Sequence, residues 1–156
     1  MNIKPNNRND VDLGHWTLAD NLQFDSDAFG FVYVIKHQIT GGKYYIGKKQ
    51  MISKRRLKPL KGKTRKRIQH KESDWKSYMG SSNELLDYIK TNGKENFSFT
   101  ILKFVSCKWE ASWEELKEQI KNNVLEDPLA FNGIMHVRIG KIPKGVLEAR
   151  KLRETK

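Results

Sequence analysis

The chain has 156 residues, and its 30 Lys and Arg outnumber its 18 Asp and Glu, which gives a formal net charge of +12. Its 4 Trp, 5 Tyr and 7 Phe are enough large apolar side chains for a packed domain, which excludes a chain that is disordered throughout. The positive charge favours a polyanionic partner. Because no basic amphipathic run accompanies it, we expect that partner to be a nucleic acid and not a membrane surface.

Cysteine usage and apolar runs exclude further classes. Cys107 is the single cysteine, so a disulfide framework and a Cys-rich zinc site are excluded. No apolar run approaches the roughly 20 residues that a membrane-spanning helix needs. The sequence therefore predicts an intracellular, cytoplasmic protein without a membrane partner.

The first predicted element is a β-hairpin. Residues 30–35 are β-branched and aromatic, which is typical of a strand, and residues 43–47 predict a second one. Between them, Gly41 and Gly42 supply the positive φ angles that a tight turn uses.

The next segment, residues 48–76, carries most of the excess charge. It contains 13 Lys and Arg against Glu72 and Asp74, a net charge of +11. We expect a short helix over 50–57, ended by Pro59 and the glycine that follows. The remainder reads as a charged loop, and we expect residues 61–76 of it to contact nucleic acid.

Two more elements follow the basic segment. Ser81 and Glu84 have the spacing of a capping box, which predicts a helix that ends at Gly93. Residues 97–104 begin with alternating apolar and polar side chains, so they predict a third strand.

The C-terminal third predicts a further helix. Its apolar stripe recurs at helical spacing and consists of Trp109, Trp113, Leu116 and Ile120. We expect a short strand over 135–139 and a basic tail over 140–156 that is helical near its end.

The order of these motifs resembles the GIY-YIG nuclease family. The resemblance rests on Gly-Phe-Val-Tyr at 30–33, Lys-Tyr-Tyr-Ile-Gly at 43–47, Arg55, Arg56, Glu115 and Asn132. The segments 45–49 and 74–82 are similar to small GIY-YIG proteins of large tailed bacteriophages. One departure is that Phe31 and Val32 stand where the family has Gly and Ile, which leaves Tyr33 in place.

The resemblance implies an α+β fold, an α/β sandwich whose small central three-stranded antiparallel sheet is flanked by helices. It divides the chain into an N-terminal extension (1–28), a nuclease domain (29–133) with the basic insertion 48–76, and a basic C-terminal tail (134–156).

The resemblance also implies a metal-dependent, phage-encoded DNA endonuclease of homing or DNA-degrading type, which uses Mg²⁺ or Mn²⁺. Tyr33 would be the general base or would position the attacking water, with Tyr45 as its partner. Arg55 would contact phosphate, Glu115 would bind the metal ion, and Asn132 would hold the site or the phosphate. A tyrosine relays a proton when nearby cations lower its pKa.

The sequence leaves several alternatives open. Arg56 is the alternative to Arg55, since neighbours on a helix diverge by about 100°, and Glu114 is the alternative to Glu115. Asn132 is equally consistent with a loop residue that only shapes a turn. Tyr44 alternates with Tyr45 along a strand and therefore points to the other face.

The family often has a His or Tyr after the arginine segment. Tyr78 and His70 are the candidates here, although Gly80 occupies the aligned position. We expect contacts to nucleic acid from Lys48, Lys49, Arg56, Lys63, Arg65, Lys66, Arg67 and Tyr78.

The expected partner is double-stranded DNA. A homodimer would allow both strands to be cut. The competing hypothesis is a non-catalytic nucleic-acid-binding module on a nuclease-like scaffold.

Overall fold

The computed structural model describes residues 11–135 and 138–154 of the chain. Its strands are β1 (Thr17–Leu18), β2 (Gly30–His37), β3 (Tyr44–Gln50), β4 (Ile52–Leu57), β5 (Arg67–Glu72) and β6 (Phe97–Val105). Its helices are α1 (Asn83–Asn92), α2 (Lys108–Lys121) and α3 (Lys144–Glu154).

A four-stranded sheet with the order β1-β6-β2-β3 forms the centre of the fold. Strand β2 is antiparallel to β3 and to β6, whereas β1 runs parallel to β6. The predicted α+β class and the β2–β3 hairpin are confirmed. The sequence predicted three strands for this sheet, and the structure has a fourth, β1. This strand is only two residues long, which is too short to show the alternation that indicates a strand.

Strand β2 is buried on both faces, which places two apolar clusters on opposite sides of the sheet. Phe31, Tyr33 and Ile35 point into the larger cluster, together with Trp16 and other aromatic side chains. Val32 points into the smaller cluster, which lies under α2. Strand alternation therefore places the Tyr33 side chain on the face of the sheet opposite Val32.

The predicted helix over 50–57 is wrong. Residues 52–57 form β4, which pairs antiparallel with β5 in a second, two-stranded sheet. A strand whose faces are both exposed needs no apolar periodicity, so the sequence has no alternation to indicate it. The loop between the strands turns at Gly62, which has a φ of 83°, and Lys63 N–H donates to the Leu60 carbonyl at 2.9 Å.

Helix α1 and strand β6 lie where the sequence predicts them. The helix is capped by Ser82 and not by Ser81, because the Ser82 Oγ accepts a hydrogen bond from Leu85 N–H at 3.3 Å. Gly93 ends the helix with a φ of 84°, a conformation that favours glycine.

The predicted apolar stripe of α2 is partly wrong. Ile120 is 58% exposed, whereas Glu114 on the same helix is buried. Lys103 Nζ and Lys117 Nζ lie 3.1 and 2.8 Å from one Glu114 carboxylate oxygen. Because these cations compensate the buried carboxylate, the buried face of α2 departs from the apolar pattern that periodicity detects.

The C-terminal segment forms α3, which confirms the predicted helix near the end of the chain. The predicted strand over 135–139 includes residues 136 and 137, which lie outside the described residues, and its described positions are not in a strand. Of the described helices, none is long and apolar enough to cross a membrane.

The packing of His15 predicts a pH dependence of stability. Its ring stacks on Phe99 at a centroid distance of 4.0 Å, and its Nε2 donates to the Tyr78 carbonyl at 2.9 Å. Burial, and secondarily the charge of Lys94, lower the pKa of His15 to about 4, against about 6.5 in the unfolded chain.

Because the unfolded chain takes up this proton first, the contribution of His15 to stability is complete above pH 6.5 and is lost as the pH falls towards 4. We expect the melting temperature to fall across this window, and His15→Gln to flatten the fall. Melting curves at half-unit pH steps measure it. Equal slopes in wild type and variant would contradict the assignment.

Candidate active site

A cleft of about 680 Å³ opens beside the edge strand β3. Its lining comes from β2 and β3, the start of α1, helix α2 and the segments 131–134 and 138–139. The lining residues are Tyr33, Tyr45, Lys48, Ser81, Ser82, Glu84, Ser112, Glu115, Leu116, Gln119, Phe131, Asn132, Gly133, Ile134, Arg138 and Ile139. Four residues with predicted catalytic roles, Tyr33, Tyr45, Glu115 and Asn132, thus share one cleft although they come from separate parts of the chain.

Tyr33 reaches the cleft because Gly47 lies opposite it on β3. A Cβ atom at Gly47 would lie 2.5 Å from the Tyr33 hydroxyl and 2.8 Å from Cε1 of Tyr45. The missing side chain therefore leaves the space into which the Tyr33 hydroxyl extends. The Tyr33 and Tyr45 rings are 6.2 Å apart, and Tyr44 points to the opposite face, where its hydroxyl donates to Asp127 at 2.7 Å.

The surroundings of Tyr33 favour its neutral form. Burial raises the pKa of Tyr33 well above its ordinary value, and the nearby Tyr78, Tyr45 and Glu115 raise it further. Burial also raises the pKa of Tyr45, with Glu115 adding to the effect and the Ser81 hydrogen bond opposing it. These side chains supply no cation to lower the pKa of Tyr33, so its hydroxyl is a hydrogen-bond donor at neutral pH.

Tyr78 packs edge-on against Tyr33, with ring centroids 6.1 Å apart and an interplanar angle of 85°. His70 lies on β5, exposed, opposite Lys54. Of the two candidates for the third family motif, Tyr78 is therefore the one that lies beside the cleft tyrosines. Gly80 also lies close, since a Cβ atom there would be 3.6 Å from the Tyr33 hydroxyl.

Glu115 and Glu114 face different surroundings on α2. Glu115 is half-buried and lines the cleft, and Gln119 Nε2 donates to its Oε1 at 3.3 Å. Glu114 is buried against Lys103 and Lys117. The geometry thus places Glu115, and not the alternative Glu114, beside Tyr33.

Asn132 binds residues 129–132 to the outer edge of β3. Its Oδ1 accepts from Ile46 N–H at 3.1 Å, and its Nδ2 donates to the Ile46 carbonyl at 2.7 Å. The backbone pairs in the same manner one step earlier, where Tyr44 N–H donates to Leu129 and Phe131 N–H donates to Tyr44. The side-chain amide therefore extends the parallel pairing of Tyr44 with Ala130 by one step. Asn132 and the residues that follow it line the cleft.

We expect Asn132→Ala to destabilise the protein by about 1–3 kcal/mol, because the buried Ile46 N–H loses its acceptor. Gln119→Ala is the matched control, since the Ile46 carbonyl keeps its bond to Asn132. Urea denaturation measures both. A larger loss in the Gln119 variant would contradict this role of Asn132.

The predicted DNA-contacting residues divide into two groups. Lys48 lines the cleft, and its Nζ donates to Ser112 Oγ at 2.8 Å. Lys49 pairs with Asp74 at 2.6 Å and lies 4.0 Å over the Tyr78 ring. Besides Tyr78, which packs against Tyr33, the others are exposed and lie on the β4–β5 hairpin and its connecting loop, namely Arg56, Lys63, Arg65, Lys66 and Arg67.

Arg55 also lies on β4, and it is not among the residues that line the cleft. Successive residues of a strand point to opposite faces, so Arg55 and Arg56 point apart, by 180° and not by a helical step. The phosphate-contacting role predicted for Arg55 stays a prediction.

Sequence reasoning missed several lining residues. Arg138 is the cleft's second basic residue besides Lys48, yet it lies in an irregular segment without a motif. Glu84 also lines the cleft, although its spacing after Ser81 indicates only a helix cap. Gln119 could have been identified from the sequence, because it follows Glu115 by one helical turn and therefore lies on the same side of α2.

The donor set of the cleft fits a hard divalent cation. Glu84 and Glu115 are its two carboxylates, and Mg²⁺ binds through one or two carboxylates together with waters. Among residues 11–135 and 138–154, no three His, Cys, Asp or Glu side chains lie close enough together to hold a metal ion.

A known protein family matches the part of the chain that contains the cleft strands and helix α2. The family described as "Putative endonuclease segE, GIY-YIG domain" matches residues 16–135, which include β1 through α2 and the segment that carries Asn132. Neither a curated protein nor a solved structure matches the chain.

Proposed function

Since the chain belongs to the segE-type GIY-YIG endonuclease family, we propose that it is a divalent-metal-dependent endonuclease that hydrolyses phosphodiester bonds of duplex DNA. One observation carries the proposal. Tyr33, Tyr45, Lys48 and Glu115 line one cleft beside β3, and the Tyr33 hydroxyl lies where a side chain at Gly47 would be.

The residues have separable roles in this proposal. Glu115 holds the cation, and Gln119 fixes the orientation of its carboxylate. Lys48 and Arg138 hold the phosphate, since both line the cleft and carry positive charge. When bound, a divalent cation supplies charge stabilisation at the phosphate oxygens and the leaving oxygen.

Tyr33 positions the attacking water in this proposal. Because burial raises its pKa, its neutral hydroxyl orients the water by hydrogen bonding and does not remove a proton from it. Tyr45 lies beside Tyr33 and presents a second hydroxyl, which is within 3.3 Å of Ser81 Oγ. Both hydroxyls are fixed by packing before substrate binds, which is the condition for effective transition-state stabilisation.

The decisive experiment is cleavage of supercoiled plasmid by the purified chain in MgCl₂, in MnCl₂ and in EDTA. We expect nicked or linear product with the metal ions and none with EDTA. Mapping the ends gives the strand preference.

The competing hypothesis is a nucleic-acid-binding module without turnover. The exposed basic residues outside the cleft favour binding under either hypothesis, since they do not require catalysis. A chain that retards DNA in a gel and never cuts it with Mg²⁺, Mn²⁺ or Ni²⁺ would establish this alternative.

A tyrosine pair provides a matched test of the site. We expect Tyr33→Phe to lower the cleavage rate by about 10²-fold, because it removes one preorganised donor and keeps the packed ring. Tyr44→Phe also removes one hydroxyl, but on the opposite face of the sheet, and should leave cleavage unchanged. Single-turnover rates measure both, and equal rates for the two variants would remove Tyr33 from the mechanism.

Some further predictions remain open. A phage origin, a cytoplasmic site of action and a homodimer that cuts both strands all fit the proposal. The division at residues 29–133 also stays a prediction, and the family match begins earlier, at Trp16.

A further inference from the structure

We propose that the β4–β5 hairpin is a two-stranded ribbon that enters the major groove of B-form DNA and turns its Arg55–Gln69 face towards the base edges. That DNA is the partner rests on the proposed function. What is new is the groove that the hairpin enters and the hairpin face that contacts the bases. The structural basis is an exposed hairpin that continues directly from the cleft strand β3.

Beyond its first pair, Ile52 with Glu72, the hairpin is exposed to solvent on both faces. Residues 53–56 of β4 and all of β5 are exposed. The base is anchored instead, because Met51 is buried, its N–H donates to the Phe29 carbonyl at 2.8 Å, and its carbonyl accepts from Ser73 N–H at 2.8 Å. An anchored base and an exposed body are what a protruding recognition element requires.

The strand register gives the two faces different chemistry. Directly paired residues of antiparallel strands share a face. One face therefore combines Ser53 with Lys71, Arg55 with Gln69, and Leu57 with Arg67. The other combines Ile52 with Glu72, Lys54 with His70, and Arg56 with Ile68. Only the first face joins three cations to a central amide without an acidic residue.

The dimensions and side chains fit the major groove of duplex DNA. That groove is about 12 Å wide and admits a two-stranded ribbon, and six residues of strand extend over roughly 20 Å. Arginine pairs with the guanine edge, and glutamine pairs with the adenine edge. Arg55 and Gln69 lie directly opposite each other, so they would meet neighbouring bases.

The loop that joins the strands would lie along the phosphates. It carries the exposed cations Lys58, Lys61, Lys63, Arg65 and Lys66, and neutralised phosphates make binding strongly salt-dependent.

Two other nucleic-acid partners fit the ribbon less well. Residues 52–72 contain no Phe, Tyr or Trp, whereas single-strand binding relies on aromatic stacking. Duplex RNA is also unfavourable, because its major groove is too narrow for side chains to read.

The test uses the full-length protein and a fluorescent mixed-sequence duplex in EDTA, so that binding is measured without cleavage. The duplex is loaded beforehand with methyl green, a dication of the major groove, or with netropsin, a dication of the minor groove. We expect methyl green to weaken binding about tenfold or more, netropsin to change it less than about threefold, and the single strand to bind more weakly than the duplex.

A pair of double variants tests which face reads the bases. Arg55→Ala with Gln69→Ala and Lys54→Ala with His70→Ala each remove one directly opposed pair and one full positive charge, from opposite faces. We expect the first to weaken duplex binding by about tenfold or more and the second by less than about threefold.

The outcomes separate this inference from the proposed function. Sensitivity to netropsin instead of methyl green, equal binding of single strands, or equal losses in the two double variants would overturn the ribbon while leaving the nuclease proposal intact. If the Arg55 and Gln69 double variant keeps wild-type duplex binding in EDTA and loses cleavage in Mg²⁺, Arg55 acts at the scissile phosphate and not at the base edges. Cleavage of plasmid by a protein whose duplex binding is equally sensitive to methyl green and netropsin would also overturn the ribbon. Binding that methyl green alone weakens, without cleavage in any metal ion, would overturn only the nuclease proposal.

Discussion

Replacing Glu115 with Gln should lower Mg²⁺-dependent cleavage by about 10³-fold, because the cation loses its charged ligand and with it several kcal/mol of transition-state stabilisation. The substitution keeps the size of the side chain and an oxygen that accepts from Gln119. The melting temperature and duplex binding in EDTA should therefore stay unchanged. Single-turnover cleavage and fluorescence anisotropy measure the two effects.

Glu114 supplies the matched control on the adjacent position. Glu114→Gln removes a buried carboxylate that pairs with Lys103 and Lys117, so we expect a lower melting temperature. The cleavage rate of the folded protein should stay within about threefold of wild type, because this side chain faces away from the cleft. The reverse result, with cleavage lost in the Glu114 variant and kept in the Glu115 variant, would exchange their roles.

A methyl group at Gly47 should disable the site from within the sheet. The added Cβ would lie 2.5 Å from the Tyr33 hydroxyl, 2.7 Å from Tyr33 Cζ and 2.8 Å from Tyr45 Cε1. Both rings must therefore move, and a displacement of about 1 Å costs about 10²-fold in rate. We expect Gly47→Ala to lower cleavage at least that much and to destabilise the fold by about 1–3 kcal/mol.

Gly145 supplies a control glycine. It lies in α3, and an added Cβ meets no atom within 4 Å. Gly145→Ala should therefore keep full cleavage and raise stability by about 0.5–1 kcal/mol, since alanine favours a helix. Full activity in the Gly47 variant would show that the tyrosine positions do not limit the reaction. Plasmid cleavage with thermal melting of both variants measures the comparison.

The hairpin of β2 and β3 was predictable because its information is local. Alternating β-branched and aromatic residues, with two glycines between them, indicate strands whatever the rest of the chain does. Its consequence for the site was also predictable, since alternation separates Tyr45 from Tyr44. Glu115 was accessible only through the order of family motifs, because a glutamate on a helix flank has no periodic signal of its own.

Other features depend on contacts between distant residues. The burial of Glu114 requires Lys103 from another element, and hydrophobic periodicity does not detect a compensated charge. Arg138 reaches the cleft because an irregular segment passes it, which no local pattern indicates. The helix predicted over 50–57 failed for a related reason, since β4 is defined by its partner β5 and not by a buried face.

The single buried residue between β3 and β4 has a consequence for where the chain would cut. Met51 joins the strand that carries Gly47 to the strand that carries Arg55, and its backbone is fixed at both ends. The eight residue steps from Gly47 to Arg55, at roughly 3.3 Å each, span at most about 26 Å. On duplex DNA this distance corresponds to fewer than about eight base pairs at roughly 3.4 Å each. With the ribbon in the groove, scission would fall at a constant short offset from the contacted bases, so the protein would measure distance along the duplex with one continuous backbone.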